Sequence, residues 1–121
     1  MVGAIKQGDQ RLWYSNYGVC TDLFAPGTLI NSTWIGSNSA TYIESETSMA
    51  APHVAGAMAL FLEKHSGNKT QAENDLLAVQ TDAVGDPGLS SPNLLTQVNH
   101  CEVPANKNSP TARPTRTENP S

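Results

Sequence analysis

A chain of 121 residues, 38% of them apolar and 15% charged, is the size of one ordinary domain with enough apolar residues to bury a core of its own. Its formal charge of −4 and lack of a basic stripe argue against a nucleic-acid partner. No uninterrupted apolar run reaches the roughly 18 residues of a membrane span, so a soluble protein without a membrane partner is expected.

The opening run Val2-Gly3-Ala4-Ile5 reads as a short buried strand. The residues around Met1 carry no cationic start, apolar core and cleavage site, so they do not form a secretory signal. A start in mid-strand is unusual for a domain, and the expectation is that the chain is a fragment. The polar stretch from Lys6 to Gly18 reads as a surface loop. Val19 to Phe24 reads as a second strand, halted by Ala25-Pro26-Gly27. Thr28 to Ile35 is rich in β-branched residues with Trp34 among them and predicts a further strand; Gly36 to Thr41 predicts a polar turn.

From Ser48 the period changes. Val54, Ala57, Met58, Phe61 and Leu62 follow the i, i+3, i+4, i+7, i+8 spacing of a helix, and the alanines between them predict burial on most sides. Pro52 is expected near the first turn, where a missing N–H costs little, and Ser66-Gly67-Asn68 should stop the helix. A second helix is predicted over 70–83, with Thr70 as cap and Glu73 completing a capping box. A turn-rich loop, Gly85 to Pro92, and a short element, Asn93 to Val98, follow. Residues 102–121, rich in Pro, Thr, Asn and Ser without apolar periodicity, read as a disordered tail or linker beyond a domain of residues 1–101.

Two cysteines, Cys20 and Cys101, have no metal-ligand spacing. They are open to pairing with each other, to pairing with cysteines elsewhere, or to remaining free thiols. The sequons Asn31-Ser32-Thr33 and Asn68-Lys69-Thr70 would accept glycans in a secreted protein of eukaryotic origin.

The chemistry concentrates at Ser48. A serine that ends a strand-to-helix turn and opens a buried helix is a cap, a phosphate ligand or a nucleophile. Its own N–H and the helix dipole both favour an oxyanion beside it. Acyl transfer also needs a base, normally a histidine oriented by a carboxylate. His53, five residues into the helix, is expected to point into packing. His65 and His100 show no evident carboxylate partner in the sequence.

Ser45-Glu46-Thr47-Ser48-Met49-Ala50-Ala51-Pro52-His53-Val54-Ala55-Gly56 resembles the serine motif of the subtilisin family, whose usual form is Gly-Thr-Ser-Met-Ala-x-Pro-His-Val-Ala-Gly. Val2-Gly3-Ala4, Tyr14-Ser15-Asn16-Tyr17-Gly18, Asp22-Leu23-Phe24-Ala25-Pro26-Gly27 and Ser90 to Leu95 resemble, in order, further segments of the proteinase K branch. The resemblance covers roughly residues 1 to 100. It implies an α/β fold, a subtilisin-like largely parallel sheet with flanking helices, of which this chain is a C-terminal fragment. It also implies a secreted, monomeric serine endopeptidase acting on peptide or protein substrates, with Ser48 as nucleophile. The family order Asp, His, Ser then assigns the acid, the base and the oxyanion asparagine to sequence before Met1, so the isolated chain is expected to be inactive. Asp22 matches a position that binds calcium in some members of the branch, through its carboxylate and backbone oxygens outside this chain. No metal or other cofactor is assigned within the chain itself. One departure stands out: Glu46 occupies the place of the family glycine two residues before the nucleophile, and the alternative it implies is a catalytically impaired enzyme or pseudoprotease.

Overall fold

The computed structural model describes residues 1–78 and 80–98, without the side chains of Gln80 and Thr81. Three central strands run parallel: β1 (Val2–Lys6), β3 (Leu23–Pro26) and β7 (Leu94–Leu95). Two short outer strands, β2 (Gln10–Arg11) and β6 (Gln80–Thr81), pair antiparallel at the two edges, giving the order β2-β1-β3-β7-β6. The sheet is therefore parallel only at its centre. A separate antiparallel hairpin is made by β4 (Ile30–Thr33) and β5 (Thr41–Glu44), in the register Ile30 to Glu44 and Ser32 to Tyr42. The predicted strands at 2–5, 19–24 and 28–35 are thus found, with bounds shifted by a few residues.

Strand alternation divides the core between the two faces of the sheet. Ala4 and Ala25, with Leu12, pack under Ala50 at the head of α1 (Thr47–Lys64). Ile5 and Phe24 point the other way and meet Val84 and Leu95. Phe24 lies across Gly3, so closely that a β-carbon at position 3 would collide with its ring. A third cluster, Ala57, Phe61, Ala72 and Leu76, joins α1 to α2 (Lys69–Leu77).

Four helix expectations need correction. Of α1, only Ala50, Ala57 and Phe61 are buried, while Ala51, Ala55, Ala59 and Leu60 are exposed. A small sheet on one side and a nine-residue helix on the other cover one stripe of an 18-residue helix, not its whole circumference. Pro52 sits in the second turn of α1, because the helix begins at Thr47. Having no N–H, it cannot donate to the carbonyl four residues back, and that carbonyl is Ser48's. The cap of α2 is Asn68, whose side chain accepts from the Gln71 N–H at 3.2 Å, instead of Thr70. The helix stops at Leu77, since Gln80 and Thr81 are taken up by pairing with Leu95 and Leu94. The turn between the helices matches its glycine stop signal: Ser66 and Gly67 both have positive φ, 53° and 85°, the left-handed conformation that glycine adopts without cost. His100, Cys101 and the predicted tail 102–121 lie outside the described residues.

Candidate active site

Ser48 is held in the first turn of α1 by contacts that reach well beyond its own helix. Gly27, at the end of β3, donates its N–H to Ile5 at 3.0 Å. A β-carbon there would stand 2.6 Å from Ala4 Cβ and 2.8 Å from the Glu46 carbonyl oxygen, so only glycine lets the turn approach the sheet this closely. Two residues on, the Leu29 N–H donates to Ser45 Oγ at 2.8 Å. Gly27 and Ser45 together fix the turn that presents Ser48, and Ser45 has no local sequence signal for that role. On the sheet side the buried Ser15 hydroxyl accepts from the Ala4 N–H at 2.7 Å, tying the loop before β3 to the strand beneath the helix.

Glu46 is the residue before the helix, with φ −157° and ψ 168°. That extended conformation is open to any residue, so the glutamate in place of the family glycine does not strain the backbone. Its effect comes from its side chain. The Ser48 Oγ–H donates to Glu46 Oε2 at 2.7 Å, while the Glu46 carboxylate makes no capping bond to the helix. Both residues are exposed. Ser48 is the second residue of α1, and its N–H is one of the four leading N–H groups that a helix leaves without an internal acceptor. An exposed hydroxyl and an uncommitted N–H at the positive end of an 18-residue helix form half of what acyl transfer requires: an oxygen that attacks and a donor for the oxyanion that results.

Among the described residues no histidine is placed beside Ser48 to act as its base. His53 lies five residues on from Ser48, about 140° around the helix and 7.5 Å along it. Its Nδ1–H donates to the Met49 carbonyl at 2.8 Å. The ring is exposed, so it is set aside from the site as expected, but by a backbone hydrogen bond and not by packing. His65 does have a carboxylate partner, contrary to the sequence reading. Asp75 on α2 accepts from Lys64 Nζ at 2.7 Å and lies 2.9 Å from His65 Nε2. This pairing appears only once α2 folds back on α1, and it lies at the far end of the helix from Ser48. The Lys64 ammonium, followed by His65, holds the Asp75 carboxyl below its ordinary 3.8.

Between the hairpin and the start of α1 lies an open cavity of about 300 Å³, lined by Ile30, Ser32, Thr33, Trp34, Tyr42, Glu44, Glu46 and Met49. It adjoins Ser48 through Glu46. Asp22, the position matching a calcium ligand in the resemblance, is exposed and pairs with the Met1 amino group. Among the described residues no group of three or more His, Cys, Asp or Glu is placed to hold a metal, and the described residues supply only the Asp22 carboxylate at that position. Cys20 is exposed, and its pairing with Cys101 falls outside the described residues.

The fold and site define an α/β protein that presents a serine on a strand-turn-helix crossing, a common setting for acyl-transfer chemistry. More specifically, the chain belongs to the subtilase family, whose family model matches residues 1–98. It is 43% identical over 104 residues to the "Subtilisin-like serine protease pepC" of Aspergillus niger, covering 77% of this chain and 20% of that protein. It is 48% identical over 96 residues to the "Extracellular serine proteinase" of Thermus sp. (strain Rt41A), covering 78% and 23%. A crystal structure of a cold adapted subtilisin-like serine proteinase superimposes with a TM-score of 0.72 at 36% identity, covering 81% of this chain and 36% of that one. The chain thus spans about a fifth of the length of the curated relatives it matches.

Proposed function

We propose that this chain is the nucleophile-bearing part of a secreted serine endopeptidase, with Ser48 attacking the scissile peptide carbonyl. The observation that carries the reading is the state of Ser48: an exposed Oγ and an uncommitted N–H at a helix head, inside the segment that matches the family. In the reaction, Oγ bonds to the carbonyl carbon and gives its proton to a histidine supplied from outside this chain. The tetrahedral oxyanion forms next to the Ser48 N–H. Collapse breaks the C–N bond, the amine leaves with the proton, and water then releases the acyl group by the same steps. Neither His53 on α1 nor His65, the residue that follows its last turn, serves as the base in this reading. The chain alone is accordingly inactive, because an unassisted serine hydroxyl is a weak nucleophile. Secretion agrees with the name of the Thermus relative and with the exposure of both sequon asparagines, Asn31 and Asn68. Peptide or protein substrates, a monomeric state and the absence of a cofactor within these residues belong to the same reading.

The Glu46 contact supports a second reading. With its hydroxyl proton directed at a carboxylate 2.7 Å away, Ser48 has to break a charge-assisted bond before engaging any other base. The protein would then be an impaired peptidase or a pseudoprotease. An uncharged fluorophosphonate, applied to the full protein that carries this chain, tests both readings. Labelling at Ser48 that is abolished by Ser48→Ala supports the endopeptidase. No labelling of the unmodified protein together with labelling of Glu46→Gly establishes the impaired form. No labelling of either removes the proteolytic reading.

A further inference from the structure

The cavity beside Ser48 has a composition that selects its occupant. Ile30 and Ser32 stand opposite Glu44 and Tyr42 across the hairpin. With a period of two, the same face carries Trp34, which packs against Tyr42 with ring centroids 4.7 Å apart at 33°. Both residues remain about half exposed, 54% and 49%, so the part of each ring that does not face its neighbour is open to a ligand. Glu44 closes one end of the cavity and Glu46 the end nearest the nucleophile. Each carboxylate has only one oxygen engaged: Glu44 Oε1 accepts from the Ser45 N–H at 3.2 Å, and Glu46 Oε2 accepts from Ser48. Among the described residues neither pairs with Lys, Arg or His, whereas Asp75, Asp86 and Glu73 all do. Two uncompensated carboxylates around exposed aromatic faces, in a space at the small end of ligand-pocket sizes, match a guanidinium, which stacks on rings and forks to carboxylates.

We propose that this cavity is a subsite for an arginine side chain of the peptide substrate, placed next to the scissile bond because Glu46 touches both the cavity and Ser48. The occupant is arginine in preference to lysine, whose compact, strongly hydrated ammonium gains less from the Trp34 and Tyr42 faces. This rests on the endopeptidase reading for the word substrate, and on the cavity alone for the cation.

The test uses the full protein that carries this chain and has two arms. In the first, kcat/KM is measured on matched peptides with arginine, norleucine or glutamate in turn at each position flanking the cleaved bond. Arginine is expected to exceed norleucine by about tenfold at one position, with glutamate the poorest. In Glu44→Gln/Glu46→Gln the arginine-to-norleucine ratio should fall to about one, whatever the absolute rate. In Glu73→Gln, which removes an equal charge from α2, the ratio should hold. A ratio near one in the unmodified protein, or one that Glu73→Gln changes as much as the double variant does, overturns the proposal. In the second arm, Trp13→Phe leaves Trp34 as the only indole, since the chain has two tryptophans; where the rest of the protein adds others, Trp34→Phe supplies the blank. N-acetylarginine amide should perturb Trp34 emission saturably, N-acetylnorleucine amide should not, and the double glutamine variant should lose the response. Ser48 labelling without an arginine effect in either arm sinks this inference and leaves the endopeptidase reading standing. An arginine-specific Trp34 response without Ser48 labelling does the reverse.

Discussion

Replacing Glu46 with glycine is expected to speed the reaction of Ser48, and the structure bounds by how much. The carboxylate accepts the Ser48 hydroxyl at 2.7 Å, and while it stays that close its charge lies within roughly 6 Å of the oxyanion that forms on attack. At an effective dielectric of about 20 the repulsion is about 3 kcal/mol, and in bulk water about 0.7 kcal/mol. These limits correspond to roughly a hundredfold and roughly threefold in rate. Glu46 is exposed, so solvent screening draws the effect toward the lower end until substrate covers the site. The assay is the second-order rate of Ser48 labelling by an uncharged fluorophosphonate in the full protein, for the unmodified form, Glu46→Gly and Glu46→Gln. Glutamine keeps the bulk and a hydrogen-bond acceptor but removes the charge. Its rate should therefore approach that of glycine, and the gap from the unmodified protein should narrow as salt is raised. Glu46→Gly labelling no faster than the unmodified protein would show that the carboxylate does not restrain Ser48, and a glutamine variant as slow as glutamate would assign the effect to bulk instead of charge.

Gly27→Ala should lower the urea midpoint by about 1–3 kcal/mol of stability, as overpacking does, and slow Ser48 labelling as well, because its β-carbon would press on Ala4 and on the Glu46 carbonyl; an unchanged midpoint would show that the turn yields freely. The Asp75 carboxyl, held below 3.8 by Lys64 and His65, contributes stability that is present above that value and lost as the pH falls through the lower folded-state value. Thermal midpoints should accordingly drop on acidification below about pH 4, and Asp75→Asn should flatten that part of the profile. A variant with the same acid limb as the unmodified protein would mean that the carboxylate does not join the two helices.

The helix after Ser48, the stop at Ser66-Gly67-Asn68 and the short strands were legible because each rests on local chemistry: a 3.6-residue apolar period, a left-handed glycine and β-branched runs bounded by turns. The serine motif is local as well, twelve consecutive residues that form the turn after β5 and the head of α1. Family and candidate nucleophile could therefore be read without coordinates. The remaining features depend on the local path of the backbone or on partners distant in the chain. Thr70 and Asn68 are both competent caps, and only the backbone path decides which side chain reaches an N–H. His65 gained a carboxylate because α2 folds back across ten residues to bring Asp75 beside it.

By itself, then, the sequence determined the α/β class, the family and the position of Ser48, since each follows from residue type and spacing along a continuous stretch. Only the tertiary structure decided what surrounds that serine. Glu46 could be recognised from the sequence as a departure from the motif, but its bond to Ser48 depends on a turn that Gly27 admits and Ser45 holds, from segments about twenty residues apart. The Trp34, Tyr42 and Glu44 face exists only in the register of the hairpin. A slip of β5 by one residue in that pairing would turn Tyr42 and Glu44 away from Trp34 and the site.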